Sequence, residues 1–364
     1  MSEDQVVSNG DVPARFSHLA GKPRAMAMMA AALHGRGHVE DAVALALAAT
    51  AAAPADMVVW QTVRRSLNVG VAKFHESMLQ DEVRNRAYAA AIERAVRPGM
   101  TVLEIGAGSG LLAMIAARAG AYVVTCEAVP AVAATARAIV ARNGYADRVR
   151  VVAKRSTDLA VGVDLDAPAD LVVHEIFGHM LVNEGVTAAL ADARARLVKP
   201  GAPSVPPRAA VRVALARYSR PPAAPVGMIE GFDLSPFNVL LPPRGRSIVG
   251  AAGKIVSLSE PASVLPQDYD RPSPFGPERE TVRLISAGGR VDLVAQWMEL
   301  DFGGGHLLSS DPFAAVKATS WGAPLFVLPA GIETAPGDAI DVTVRHDGAA
   351  LMVDAVAAGQ GAFD

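Results

Sequence analysis

Three glycines that follow an apolar run are the first residues of this sequence that could bind a ligand. Gly106, Gly108 and Gly110 come directly after residues 101–105, and a helical pattern begins at Leu111. Glycine permits the sharp turn from a strand into a helix, and it lets a ligand lie against bare backbone. The pattern alone is a weak signal, because dinucleotide-binding folds and plain turns also use it.

Two acidic residues make the glycine pattern more specific. Glu104 precedes the glycines, where an acid can receive a ligand ammonium, and Glu127 closes the next predicted strand, where a carboxylate can accept both hydroxyls of a ribose. The spacing differs from the Gly-x-Gly-x-x-Gly that seats a pyrophosphate at a helix N-terminus. An amino-acid nucleoside carries no phosphate, so it does not need a pyrophosphate site of this kind. We therefore predict a methyltransferase that binds S-adenosyl-L-methionine, with a dinucleotide site or a structural turn as alternatives.

A second pair of acids, Glu175 and Glu184, follows the predicted strand at 171–174. Ligands bind at the carboxyl ends of parallel strands, and a planar guanidinium is the cation whose donors best match two carboxylates. Two unrelated surface acids are the alternative. We exclude a metal site at His174, because the next histidine is His179, five residues on, whereas a zinc helix needs the fourth position.

The elements that must position these residues alternate between strand and helix patterns from about residue 75 to residue 202. Such alternation predicts a Rossmann-like α/β domain, a parallel sheet with helices on both faces. The predicted strands are 101–105, 122–127, 149–152 and 171–174, and the predicted helices are 111–119, 131–143 and 186–197.

The sequence from residue 203 predicts an antiparallel, β-barrel-like domain. Residues 210–216 alternate between apolar and other side chains, and proline-rich connectors separate the later runs. Paired turn residues predict one hairpin of 281–286 with 290–298 and another of 340–345 with 349–355.

An alanine-rich segment precedes both domains and predicts three helices between residues 22 and 67, with Asp56 capping the third. Gly37, Ala42, Ala49 and Pro54 resemble the latter part of one tetratricopeptide unit. An independent solenoid needs about three such units. A helical appendage packed on the next domain and a peptide-binding module both remain open.

Bulk composition sets the limits of the interpretation. The chain has 364 residues, of which 51% are hydrophobic, so a globular protein of two domains is expected. The net charge of −3 predicts no nucleic-acid partner, and the longest apolar run is too short for a membrane span. A single cysteine suits a reducing compartment, so we expect a cytoplasmic protein. The expected organisation is a disordered N-terminus at 1–21, a tetratricopeptide-like segment at 22–68, the cofactor domain at 69–202 and the β domain at 203–364.

Between about residues 75 and 345 the sequence resembles the protein arginine N-methyltransferase family. The run from His75 to Arg84 is similar to the family's helix that folds over the cofactor, and the glycine loop with Glu127 is similar to its cofactor motif. Glu175 and Glu184 match the spacing of its double-glutamate loop. The resemblance implies methylation of a guanidinium nitrogen of arginine in a protein or peptide, with these two glutamates catalytic.

The same resemblance implies further cofactor contacts. His75 and Met78 would line the cofactor, Arg84 would pair with its methionyl carboxylate, and Ser156 belongs to a run that is most similar to the monomethylating branch and its tetratricopeptide-bearing relative. Residues 222–243 resemble a dimerisation arm, which implies a homodimer. A methyltransferase for another acceptor, or an interaction scaffold with a weakly active cofactor domain, remain alternatives.

One motif departs from the family pattern on the substrate side. The family's Thr-His-Trp loop is present as Thr319, Ser320 and Trp321. In family members the histidine pairs with an aspartate that corresponds to Asp81, so Asp81 is expected to lack that partner. His174 and His179 are the two candidates to replace it.

Overall fold

The computed structural model describes residues 12–68, 71, 75–220, 225–240, 254–271, 278–315, 319–348 and 350–359. The chain divides into two compact units, which are described separately. The first unit comprises Met1–Glu76, Ala89–Glu175 and Asp192–Val205, and the second comprises Ser77–Tyr88, Ile176–Ala191 and Pro206–Asp364.

The predicted N-terminal helices are present as α1 (Pro23–Gly35), α2 (Val39–Ala52) and α3 (Met57–Leu67). The carboxylate of Asp56 accepts hydrogen bonds from the amides of Val58 and Val59, so this residue caps α3 as predicted. Small side chains let the helices approach closely. Their shared core includes Met26, Ala27, Ala30, Leu45, Ala46, Ala48, Ala49 and Val59.

Order begins earlier in the chain than the sequence predicts. Residues Ala14–Leu19, inside the segment expected to be disordered, form a 3-10 helix. Leu19 is buried in the core of α1–α3, and Phe16 packs against that core. Burial of these two apolar side chains opposes the conformational entropy that would otherwise disorder the segment.

Helix α2 also faces the part of the first unit that contains the parallel sheet. It packs against α7 (Pro130–Arg142), and Arg137 of α7 pairs with Glu40 of α2. The same arginine donates from Nε to the carbonyl of Val151 at 2.9 Å. Arg137 therefore joins the helical segment to the sheet of this unit.

The central sheet of the first unit is parallel, as predicted. Its strand order is β3-β2-β1-β4-β5 among the residues that the structure describes. The strands are β1 (Thr101–Ile105), β2 (Tyr122–Cys126), β3 (Val149–Val152), β4 (Leu171–His174) and β5 (Ser204–Val205). The remaining α-helices within the described ranges are α4 (His75–Leu79), α5 (Glu82–Ala95), α6 (Leu111–Arg118) and α8 (Val186–Arg196).

The second unit contains antiparallel sheets. Within the described ranges, one sheet has the order β10-β6-β12-β13, with β14 on β12 and β9 on β6; another has the order β11-β15-β16; and β7 pairs with β8. The strands are β6 (Arg208–Tyr218), β7 (Met228–Ile229), β8 (Phe232–Asp233), β9 (Ile255–Ser257), β10 (Ala262–Asp268), β11 (Glu278–Ile285), β12 (Gly289–Asp301), β13 (Leu307–Ser309), β14 (Leu325–Thr334), β15 (Ala339–His346) and β16 (Leu351–Ala357). The antiparallel architecture is confirmed, whereas barrel-like closure stays a prediction.

One predicted hairpin is present and the other is wrong. Strands β15 and β16 pair as expected. Strands β11 and β12 do not pair with each other: β11 pairs with β15, and β12 pairs with β6, β13 and β14. Ser286 exchanges backbone hydrogen bonds with Gly337 and Asp338, and Ala287 donates to Leu258. These bonds hold residues 286–288 as a corner between two sheets, where the sequence indicates a tight turn.

None of the helices formed by described residues combines the length and the apolar character that crossing a bilayer requires.

Candidate active site

The glycine loop of the first unit turns back over the end of β2. The amides of Gly106 and Ala107 both donate to the carbonyl of Cys126, at 3.1 and 2.9 Å. Gly110 starts α6 with φ at 78°, and a Cβ at this position would lie 3.1 Å from Cγ2 of Val140. Only glycine therefore suits this position, both for its backbone conformation and for the close approach of α7.

Glu127 lies directly beside this loop. Its Oε2 accepts a hydrogen bond from the amide of Gly108 at 3.1 Å, and its Oε1 accepts one from the amide of Val129 at 2.9 Å. The structure thus brings together Glu127 and the glycine loop, two parts of the predicted cofactor site. Burial raises the pKa of the neighbouring Cys126 thiol to about 12, so that thiol stays neutral near pH 7.

Three other predicted cofactor residues lie in the first unit. Glu104 is buried in β1, and Ser156 is buried at the start of a short 3-10 helix after β3. His75 approaches the open side of Gly108, where a built Cβ would lie 4.0 Å from the ring atom Cε1. These residues therefore gather around the carboxyl end of the parallel sheet, where such folds bind ligands.

The second unit contains Met78, Asp81 and Arg84. Met78 is half-buried on α4, and Arg84 is buried on α5 with its guanidinium carbon 5.3 Å from the ring centroid of Tyr88. Asp81 accepts the amide of Arg84 at 3.0 Å on Oδ1 and the amide of Ser320 on Oδ2. The backbone of Ser320 therefore bonds to Asp81, where the family pattern uses a histidine side chain.

Glu184 follows a tight loop at residues 176–183. The Asn183 side chain lies directly against Gly178 and leaves no room for a Cβ there, and its Oδ1 accepts the amide of Met180 at 3.3 Å. Leu181 is buried and has the left-handed φ of 64°. Desolvation raises the pKa of the Glu184 carboxyl above its ordinary value, although the side chain keeps a solvent-exposed face. Glu175, half-buried, directly follows β4 in the first unit.

His179 has a contact that the sequence does not predict, since the sequence indicates it only as a candidate partner of Asp81. The amide of Gly322 donates to its Nδ1 at 2.8 Å, and Nε2 of Gln296 donates to its carbonyl at 3.4 Å. His179 thus bonds to the residue that follows Trp321. The Trp321 side chain is half-buried. His174, the other candidate, is buried in β4.

Comparisons with known proteins agree with the predicted family. Residues 88–204 match the family model described as ribosomal protein L11 methyltransferase. An arginine N(omega)-methyltransferase from Streptomyces achromogenes subsp. streptozoticus is 38% identical over 245 residues, which are 66% of this chain and 68% of that protein. Protein arginine N-methyltransferase 7 from Danio rerio is 28% identical over 309 residues, 75% of this chain and 44% of that protein. The chain spans less than half the length of the curated type 7 relatives that it matches.

Solved structures show the same fold. The Trypanosoma brucei PRMT1 enzyme-prozyme complex with AdoHcy has a TM-score of 0.66 at 21% identity, covering 80% of this chain and 94% of that chain. The PRMT6-SAH structure has a TM-score of 0.60 at 21% identity, covering 78% and 98%. The family-model match and the methyltransferase relatives, together with the fold, define an S-adenosylmethionine-dependent methyltransferase. More particularly, the chain belongs to the protein arginine methyltransferase family, which confirms the prediction from the motifs.

Proposed function

We propose that this protein transfers a methyl group from S-adenosyl-L-methionine to a guanidinium nitrogen of arginine in a protein or peptide. The observation that carries the proposal is the 38% identity to an arginine N(omega)-methyltransferase, over 68% of that relative's length. The paired acids Glu175 and Glu184, at the two ends of the 176–183 loop, supply the chemistry that a guanidinium acceptor needs.

The glycine loop and Glu127 suit this cofactor. When bound, S-adenosyl-L-methionine supplies an electrophilic methyl group on its sulfonium sulfur. A carboxylate has about four lone-pair sites, and the amides of Gly108 and Val129 use two of those on Glu127. The others can accept two ribose hydroxyls. His75 would lie beside the same loop, and Glu104 would receive the methionyl ammonium.

On the acceptor side, Glu175 and Glu184 would hold the guanidinium and draw its positive charge toward two of its nitrogens, leaving electron density on the third. Held geometry of this kind is worth several kcal/mol of barrier. The raised pKa of Glu184 suits two roles. Because a neighbouring cation favours the ionised form of a desolvated carboxylate, Glu184 can hold the guanidinium as a carboxylate. Because its pKa is raised, the same carboxylate can also accept the proton that methyl transfer releases.

The decisive experiment supplies radiolabelled methyl donor to three acceptors: an arginine-rich peptide, the same peptide with lysine at each arginine, and free L-arginine. Acid hydrolysis then identifies the labelled amino acid. We expect label in methylarginine from the arginine peptide. Label in methyllysine would instead indicate a non-arginine methyltransferase. Binding of S-adenosylhomocysteine without any transfer would indicate an interaction scaffold. Label found only in free arginine would indicate that the acceptor is the amino acid and not a protein.

We also infer a homodimer formed through residues 225–240, the described part of the segment that resembles a dimerisation arm. Asn238 closes this arm by exchanging two hydrogen bonds with the backbone of Val226, at 2.8 and 3.1 Å. The closed arm leaves a large apolar surface in water, which a second copy would cover. Its most exposed apolar residues are Met228, Phe232, Val239 and Leu240.

Three finer features belong to the same proposal. The α1–α3 segment is proposed to be tetratricopeptide-like on the basis of its helix lengths and its Gly37 to Pro54 pattern. The antiparallel sheets of the second unit are proposed to close into a barrel-like domain. A cytoplasmic location is supported by the single cysteine, Cys126, since such a chain cannot form an internal disulfide.

A further inference from the structure

His179 joins two segments of the second unit that the sequence separates widely. Its ring accepts the amide of Gly322 at 2.8 Å, and its carbonyl accepts from Nε2 of Gln296 at 3.4 Å. Gln296 is buried on β12. A single residue of the 176–183 loop is thus hydrogen-bonded to the core sheet by its backbone and to the 319–322 segment by its side chain.

The 319–322 segment is held at both of its ends. Asp81 accepts the amide of Ser320, and His179 accepts the amide of Gly322. Trp321 lies between these two anchored amides. Ala323, which follows Gly322, is buried with Trp297 in the core of the sheet. The direction of Trp321 therefore depends on two side-chain acceptors, a carboxylate and an imidazole.

We propose that His179 is a positioning residue for methyl transfer: its neutral imidazole holds the 319–322 segment against the loop that leads to Glu184, and protonation releases that segment. The inference rests on the proposed function, because Trp321 and Glu184 affect catalysis only if they meet the acceptor. An imidazole that accepts at Nδ1 carries its proton on Nε2. Protonation places a second N–H at Nδ1, where it faces the N–H of Gly322 with no acceptor between them.

The protonation equilibrium has the required direction. Desolvation lowers the pKa of His179 below its ordinary value of about 6.5, so the ring is neutral at pH 7 and above. The hydrogen bond is intact there and is lost as the pH falls through the lowered pKa. Other ionisable groups on the contacting elements are Asp81 and Glu184, together with three acids of β12. Those acids, Asp292, Glu299 and Asp301, pair with Arg290, Arg212 and Arg208.

Three variants test the proposal in the full-length protein. In His179→Asn, an amide oxygen attached to Cγ can accept where Nδ1 does, but it does not titrate. His179→Leu keeps a similar bulk without an acceptor. His306→Asn, on an exposed turn between β12 and β13, is the matched control. We expect the leucine variant to lose about three- to tenfold in kcat/KM for the peptide, with unchanged affinity for S-adenosylhomocysteine.

The pH profile separates positioning from a general structural role. Between about pH 5 and 8, the wild-type protein and the control should lose activity on acidification through the pKa of His179. The asparagine variant should keep near-wild-type activity and lack that limb. An asparagine variant as impaired as the leucine variant, or one that keeps the wild-type limb, overturns the proposal.

Hydrogen–deuterium exchange provides a readout that needs no activity. In the wild-type protein, the peptide that contains Gly322 should exchange slowly at pH 8 and faster, after correction for intrinsic rates, at the acidic end. The asparagine variant should show no such extra acceleration. If the wild-type protein does not methylate arginine, the proposed function fails while this exchange test still decides the role of His179. If exchange in the peptide that contains Gly322 changes neither with pH nor with the leucine substitution, the proposed role of His179 is refuted.

Discussion

At the residue scale, Glu127 is oriented by the protein itself. Hydrogen bonds from Gly108 and Val129 fix both oxygens of its carboxylate. A ligand that binds such a group does not have to order it first, so less conformational entropy is lost on binding. The same two bonds tie the glycine loop to the start of α7.

We predict that Glu127→Ala weakens binding of S-adenosylhomocysteine at least tenfold. The variant loses two charge-assisted hydrogen bonds to ribose, each worth roughly 1.5–3 kcal/mol. Calorimetric titration measures the affinity, and thermal unfolding monitors the fold. Glu93→Ala, which removes an exposed acid of α5 paired with Arg118, is the control and should bind normally. Unchanged affinity in Glu127→Ala means that the ribose is held elsewhere.

The proposed roles of Glu175 and Glu184 distinguish arginine methylation from other methyl transfers. Glu175→Gln and Glu184→Gln each preserve shape and remove charge, leaving a buried cation with half its partners, at a cost of roughly 3–5 kcal/mol if the pair is desolvated. We expect turnover to fall about a hundredfold or more at saturating cofactor, with cofactor affinity nearly unchanged. Glu333→Gln, on an exposed strand position, should turn over normally. Ordinary turnover by both single variants would falsify the arginine assignment.

At the element scale, the 176–183 loop depends on one close contact. Because the Asn183 side chain occupies the space of a Cβ on Gly178, we predict that Gly178→Ala lowers stability by about 1–3 kcal/mol and reduces methyl transfer. Asn183→Ala in the same chain removes the obstruction, so the double variant should be more stable than additivity predicts. Thermal or urea unfolding of the four proteins measures this coupling. Gly35→Ala, with open space around it, is the control.

The elements also show where sequence reasoning succeeds. Strands β1, β3 and β4 have the predicted ends, because short β-branched runs bounded by turn residues leave the chain few other structures. The hairpin at residues 281–298 fails because its turn signal is local, whereas β12 pairs with β6 and β14 through distant residues. The bond from Gly322 to His179 is likewise invisible in the sequence, since 143 residues separate the two.

At the scale of the whole molecule, the helical segment is part of the first unit. Arg137 links α2 to β3, and α2 is buried along most of its length. Alanine dominates this buried surface, so a larger side chain there would force the helices apart. The composition of the sequence changes at the predicted boundary at residue 68, but the helices before it pack closely against the elements after it.

We predict that the protein is dimeric at micromolar concentration, with a mass by light scattering near twice the 37.7 kDa of one chain. Phe232 is 71% exposed in the arm, and burying aromatic side chains of this size is a main driving force of association. Phe232→Asp should shift the mass toward that of one chain. Val163→Asp, at a similarly exposed position of the first unit, should leave it unchanged. A wild-type protein that scatters as a single chain contradicts the prediction.

The single thiol of the chain makes the protein its own stability probe. Cys126 is only 2% exposed, it ends the strand that Glu127 follows, and its pKa of about 12 leaves almost no thiolate in the closed state. A thiol-specific reagent can therefore label the chain only when this strand opens, so the labelling rate measures the free energy of that opening. Because a bound ligand stabilises the closed state by mass action, the slowing of the same reaction reports cofactor affinity without a reporter group being added.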